Sequence, residues 1–279
     1  MNYKSTKTIS ALSLALAAGI SSSLAGVDAP ETALPTAAPA FTGEISAGWD
    51  SQYFFRGLWF GDETVWTNIS ISKEIAPNLT GSVNAFYTDV MDNDLAYSEA
   101  NLGATLSYDA GFGTFDLGFL YYRFFDGFGG DNNGLPVAGN RDATELSLTY
   151  SQELFYGING HLLAAYDLRI DGGYLEAGLS KSWKLSDKVG LDVSVATGYS
   201  LGDYYSQGLS AGLGLAIEPS DGFTHTLVSV AAPIALTDTV TFTPHVSCNF
   251  SHEARDGING SVDRDGSEVF YGAALSVSF

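Results

Sequence analysis

A chain of 279 residues with 32 acidic against 12 basic side chains, a formal net charge of −20, offers no clustered basic surface to nucleic acid. Its one cysteine, Cys248, excludes an intrachain disulfide and a cysteine-built zinc cluster. The length admits one large or two ordinary domains, and the acidity favours cations, inside a pore or between acidic loops.

The N-terminus sets the compartment. "MNYKSTK" carries two lysines and no acid, "ISALSLALAAGI" is an apolar run of signal-peptide length, and "SLA" before Gly26 is a small-x-small cleavage site. Residues 1–25 therefore read as a cleaved signal peptide, because a membrane anchor needs about 20 apolar residues. Removing them takes away Lys4 and Lys7 and no acid, so the exported chain is more acidic still. Residues 26–40, "GVDAPETALPTAAPA", read as a flexible Ala/Pro-rich leader, and 41–279 as the folded part.

From residue 41 onward alternating segments of roughly 10–13 residues follow one another, with no convincing amphipathic helix. The expected strands are 41–52, 62–74, 79–90, 97–109, 113–124, 143–153, 159–170, 173–184, 188–200, 223–236, 239–251 and 268–279. Tight links such as "IAPN", "DAGFG", "LSDK" and "LTDT" alternate with longer polar ones. "LSAGLGLAIEP" would make an odd thirteenth strand and put the 252–267 loop at the short-turn end. We therefore assign 201–222 to a long outer loop, like 125–142 and 252–267. Short turns at one end and long loops at the other are the pattern of a transmembrane antiparallel up-and-down β-barrel, here of about 12 strands.

Charge placement supports this all-β reading. In "HLLAAYDLRI", Leu162, Ala164, Tyr166, Leu168 and Ile170 share one face, and His161, Asp167 and Arg169 share the other. A lysine or arginine facing lipid at mid-bilayer costs about 2–4 kcal/mol, so the polar face is expected to line the lumen. Glu44, Asp50, Arg56, Glu99, Asp116, Glu145, Glu176 and Asp192 join Asp167 and Arg169 there. Lys73, Arg123 and Lys181 have lipid-facing parity but sit near strand ends, where long side chains can snorkel. Aromatics near strand ends are expected to form two interfacial girdles: Phe41, Phe115 and Trp183 at the short-turn end, Tyr53, Tyr121 and Tyr199 at the other.

The chain ends on "EVFYGAALSVSF". Val269, Tyr271, Ala273, Leu275, Val277 and Phe279 form one apolar face. This ending resembles the C-terminal signature of bacterial outer-membrane barrels, in which a terminal aromatic after alternating apolar residues is read by the assembly machinery. The resemblance implies that Tyr271, Leu275, Val277 and Phe279 form an assembly signal. "SQYFFRG" resembles the S-x-Y-x-F-R-G first-strand motif of an uncharacterised family of Gram-negative barrel-type proteins, matched by Ser51, Tyr53, Phe55, Arg56 and Gly57. That resemblance implies fold and bacterial outer-membrane location, and no activity. Arg56 shares parity with Asp50 and Gln52, so it is expected to point into the barrel near its outer mouth and meet a lumenal carboxylate.

Catalytic chemistry is sparse. His161, His225, His245 and His252 stand at no metal-ligand spacing, and none adjoins an obvious serine nucleophile. "DGFGGDNNG" and "DGINGSVDRDG" lack the EF-hand order and read as solvated turns. No cofactor and no enzymatic activity are expected. The partners expected are outer-membrane lipid, the barrel-assembly machinery and small solutes or cations. Twelve strands fall between side-chain-filled eight-stranded barrels and open 16–18-stranded porins. The expected function is a narrow channel for small hydrophilic or cationic solutes. The alternative is a non-conducting structural or surface-interaction barrel whose outer loops do the work.

Overall fold

A computed structural model describes residues 41–91, 97–126, 142–202, 204, 221–252 and 266–279. The expected signal peptide and leader, "LSAGLGLAIEP" and all but Asp126 and Gly266 of the two Asp/Asn-rich loop stretches lie outside these residues.

Among the described residues, thirteen strands form one sheet: β1 (Thr42–Phe55), β2 (Leu58–Ala76), β3 (Leu79–Val90), β4 (Tyr97–Asp109), β5 (Thr114–Asp126), β6 (Asp142–Glu153), β7 (Ile158–Asp167), β8 (Gly172–Lys184), β9 (Gly190–Leu201), β10 (Gly222–Ala231), β11 (Ile234–Ala235), β12 (Val240–Ser251) and β13 (Ser267–Ser278). All but β11 are long, and each pairs antiparallel with its neighbours. The β1–β13 ladder, with Glu44 opposite Ser278, and the β10–β12 ladder close the sheet into a twelve-stranded barrel. The two-residue β11 continues β10 after a break at Pro233, which has no N–H to give to a ladder. The expected strand 223–236 is therefore interrupted. Its register with β12 survives, because the Ala232 N–H still reaches the Pro244 carbonyl at 3.0 Å.

Closure has a direct reason in the alternation. Leu102, Leu106, Leu117, Phe119, Leu146, Leu148, Leu162, Val269 and Leu275 are exposed outward, while Asn101, Asn249, Thr64, Thr88, Ser200 and Thr224 are wholly buried inside. This reverses the order of a water-soluble protein, and the continuous outer apolar band suits hydrocarbon. Closing the ring leaves no sheet edge, so the backbone groups of the wall pair internally. Among the outward cations, Arg123 pairs with Asp142, and the Lys181 ammonium lies 5.2 Å from the Trp183 ring centre.

Two expectations near strand ends fail. Tyr53 does not join an outer girdle: it is buried, as are Phe54 and Leu58. β7 ends at Asp167, so Arg169 and Ile170 lie in the β7–β8 turn, and Ile170 packs inward with Leu58 and Tyr174. Both failures arise where the chain leaves the wall, because strand parity assigns a face only while a ladder continues.

Candidate functional site

The first hairpin does not stay in the wall. β1 pairs with β13 only as far as Asp50 opposite Gly272, and β2 pairs with β3 only up to Thr64 opposite Val90. Beyond these points the two strands pair with each other alone, up to Phe55 opposite Leu58. β2 bends at Gly61 and Glu63, with φ of 151° and 51°, and the β1–β2 ladder slips between Tyr53 and Phe54. The arm is thus peeled from its neighbours on both sides and crosses the lumen at the long-loop end.

The turn at its tip is Arg56–Gly57, with φ of 50° and 85°. Two positive φ values make the two-residue turn that matches the twist of a tight hairpin. Glycine takes this conformation freely, whereas arginine there costs of order 1–3 kcal/mol and needs contacts to hold it. Those contacts are extensive. The Arg56 guanidinium donates from Nη1 to Glu145 Oε2 at 2.6 Å and from Nη2 to Glu145 Oε1 at 2.7 Å, a two-pronged ion pair. It also donates to the Tyr204 hydroxyl. Its carbon centre lies 4.4, 5.0 and 5.4 Å from the ring centres of Tyr174, Phe55 and Tyr204. The Arg56 and Glu145 side chains are only 5% and 1% exposed, so the pair acts in a desolvated setting. β6 and β8, which carry Glu145 and Tyr174, each stand five strands from β1 around the ring. The tip therefore reaches the opposite wall. Asn249 Nδ2 donates to the Gly57 carbonyl at 3.2 Å, and a Cβ on Gly57 would run into the His225 ring.

The arm's flank is held by a second carboxylate. Glu99 accepts from the Tyr53 and Tyr97 hydroxyls, both at 2.6 Å, and from Asn101 Nδ2 at 3.2 Å. Between this group and the Arg56–Glu145 pair lies a cavity of about 90 Å³. Rings line much of it, among them Phe60, Tyr122 and Phe124, and Glu99, Asp167 and Arg169 also line it. Asp167 Oδ1 accepts the backbone N–H groups of Arg169 and Ile170, and the Arg169 guanidinium sits 6.0 Å from the Phe124 ring centre.

Of the ten expected lumen-facing residues, Arg56, Glu99, Glu145, Asp167 and Arg169 come together at the mouth, although Arg169 is exposed in a turn rather than set in a strand. The others are spread along the barrel. Asp50 is buried between His245 Nε2 and Trp66 Nε1, at 2.6 Å from each, and accepts the indole N–H. Glu176 meets His161 Nε2 at 3.1 Å and accepts from the Tyr174 hydroxyl at 2.8 Å. Asp116 is buried, Glu44 and Asp192 are half-buried, and Asp192 Oδ2 has no hydrogen-bond partner. Sequence reading missed the inward tyrosines and Trp66, and placed His245 in the lumen without its partner. A signal for two of them exists: Tyr97-Ser98-Glu99 and Tyr174-Leu175-Glu176 each place a hydroxyl and a carboxylate two residues apart on the inward face. Tyr271, Leu275, Val277 and Phe279, expected from the sequence to form an assembly signal, all point outward.

No protein-family model matches this chain, and no characterised protein matches it by sequence. Solved structures do match in fold. An outer-membrane channel from Pseudomonas putida F1 superposes with a TM-score of 0.52 and 12% identity, covering 91% of this chain and 100% of that one. The translocator domain of the autotransporter NalP from Neisseria meningitidis gives 0.48 and 13%, covering 87% and 88%. The KdgM porin gives 0.48 and 11%, covering 85% and 99%. The first of these likenesses places the fold among outer-membrane β-barrels.

Proposed function

We propose that this protein is a non-enzymatic outer-membrane channel for small hydrophilic or cationic solutes, narrowed at its outer mouth by the β1–β2 hairpin. The observation that carries the reading is the hairpin itself. It crosses a polar lumen yet is bonded to the wall beyond Asp50 and Thr64 chiefly through side chains. A plug held by a ladder would be part of the barrel; one held by an ion pair and a few hydroxyls can be displaced without unravelling it. The inward carboxylates support the cationic preference, because in a narrow wall of low dielectric they raise cation occupancy. Arg56 offsets Glu145, so the effective excess is below the simple count.

Single-channel recording of the refolded protein in planar bilayers tests the reading. Wild type should show small, infrequent openings, and Glu145→Gln longer ones, with reversal potentials in a salt gradient that favour cations. Silence from both proteins would refute the channel.

A further inference from the structure

The latch that holds the hairpin is also a receptor of defined chemistry. Glu145 on β6, Tyr174 on β8 and Tyr204 just past β9 face the hairpin tip, and together they satisfy a guanidinium in three ways: a forked carboxylate, a hydroxyl acceptor and two ring faces. Such a fork matches a planar guanidinium and not a compact ammonium. Its present occupant is Arg56, which reaches it from a turn residue at φ 50° on an arm that has left both neighbouring ladders. Arg56 thus behaves as a tethered ligand on a strained support. The cavity beside it has room for a small molecule, and its Asp167 carboxylate and ring faces lie next to the latch. Arg169 already rests a guanidinium over Phe124 within that lining.

We propose that the Glu145–Tyr174–Tyr204 cage is a binding site for guanidinium-bearing solutes, which enter through the adjoining cavity and compete with Arg56, freeing the hairpin. The transport consequence rests on the channel reading above; the binding does not. An untethered ligand competes against a side chain whose effective concentration is of order millimolar, so the solute should act in that range.

The probe is methylguanidinium, with methylammonium at equal ionic strength as control. Calorimetric titration of the folded Arg56→Ala barrel in detergent should show saturable methylguanidinium binding, at least tenfold tighter than in wild type. Adding Glu145→Gln should weaken it by tenfold or more, and methylammonium should bind several-fold more weakly. In wild type, methylguanidinium should raise amide hydrogen exchange of residues 53–60 several-fold over the control. This second arm also decides the matter if Arg56→Ala does not fold. Absence of saturable binding to folded Arg56→Ala, binding indifferent to Glu145→Gln, or unchanged exchange in wild type overturns the proposal. Binding without conductance would remove the channel reading alone; conductance without binding would remove this one alone.

Discussion

Neutralising Glu145 is the sharpest test of how the hairpin is held. Glu145→Gln keeps the side chain's shape and one oxygen acceptor but removes the charge opposite a guanidinium that is 5% exposed. Removing one partner of a buried ion pair costs about 3–5 kcal/mol, because the other charge stays desolvated and unpaired. Here two effects shrink that figure. The amide oxygen still accepts one guanidinium N–H, and the cavity beside Arg56 lets water in. We expect about 2 kcal/mol of lost hairpin docking, or roughly a thirtyfold larger undocked population. Limited trypsin digestion reads that population, since Arg56–Gly57 can be cut only when the tip is out of the lumen. When reclosing outpaces cleavage, the rate of cutting follows the open fraction. The rate at this bond, measured by mass spectrometry of the fragments, should rise at least tenfold in Glu145→Gln. Glu44→Gln, far from the hairpin at the other end of β1, should leave it unchanged. Equal rates in wild type and Glu145→Gln, with both barrels folded, would refute the view that this pair latches the arm.

Three further outcomes follow from other parts of the barrel. Asp50→Ala leaves the half-buried Trp66 N–H and the buried His245 Nε2 without their acceptor, at about 1–3 kcal/mol each, and should lower the temperature at which the barrel unfolds in an SDS gel-shift series. Deleting Phe279 removes the two 2.9 Å bonds that join its backbone to Gly43 at the barrel seam, together with the terminal aromatic. Membrane yield in cells should fall severalfold, and a normal yield would defeat the assembly-signal reading. Replacing Asp167, Glu176 and Asp192 together by their amides should move the reversal potential toward zero, an effect that shrinks as salt is raised. An unchanged potential would show that these carboxylates do not set selectivity.

The wall was legible in the sequence because hydrocarbon and lumen impose a strict two-residue period. The expected strand 143–153 is β6, Asp142–Glu153, and 79–90 coincides with β3. The hairpin was not legible as a plug for the same reason in reverse. Period-two parity sent Tyr53 to lipid, but beyond Asp50 there is no lipid face, and both sides of the arm meet protein. Where the arm leaves the wall depends on where β13 stops pairing with β1, a contact between opposite ends of the chain. The Asp50–His245 pair likewise joins residues 195 apart, and nothing local marks either as the other's partner. By contrast, the link from Tyr97 to Glu99 and that from Tyr174 to Glu176 are local, and their spacing announces them.

The S-x-Y-x-F-R-G stretch makes more physical sense as a hairpin than as part of a strand. Ser51 Oγ accepts the Tyr271 N–H at 3.0 Å, a side-chain tie to β13 just past the last paired residue. Tyr53 then donates to Glu99, and the Phe55 ring centre lies 6.2 Å from that of Tyr122 on β5. Arg56 crosses to Glu145, and Gly57 turns under His225 where no side chain fits. A wall strand needs only alternation, which many residue combinations supply. A detached arm must instead specify its point of departure, its flank, its tip and its turn, each by a particular functional group. Ser51, Tyr53, Phe55, Arg56 and Gly57 divide along those four tasks. At the mouth of a barrel whose wall follows hydropathy, this stretch is held by chemistry: a hydroxyl, a phenol, a ring, a guanidinium and a glycine each meet a separate partner.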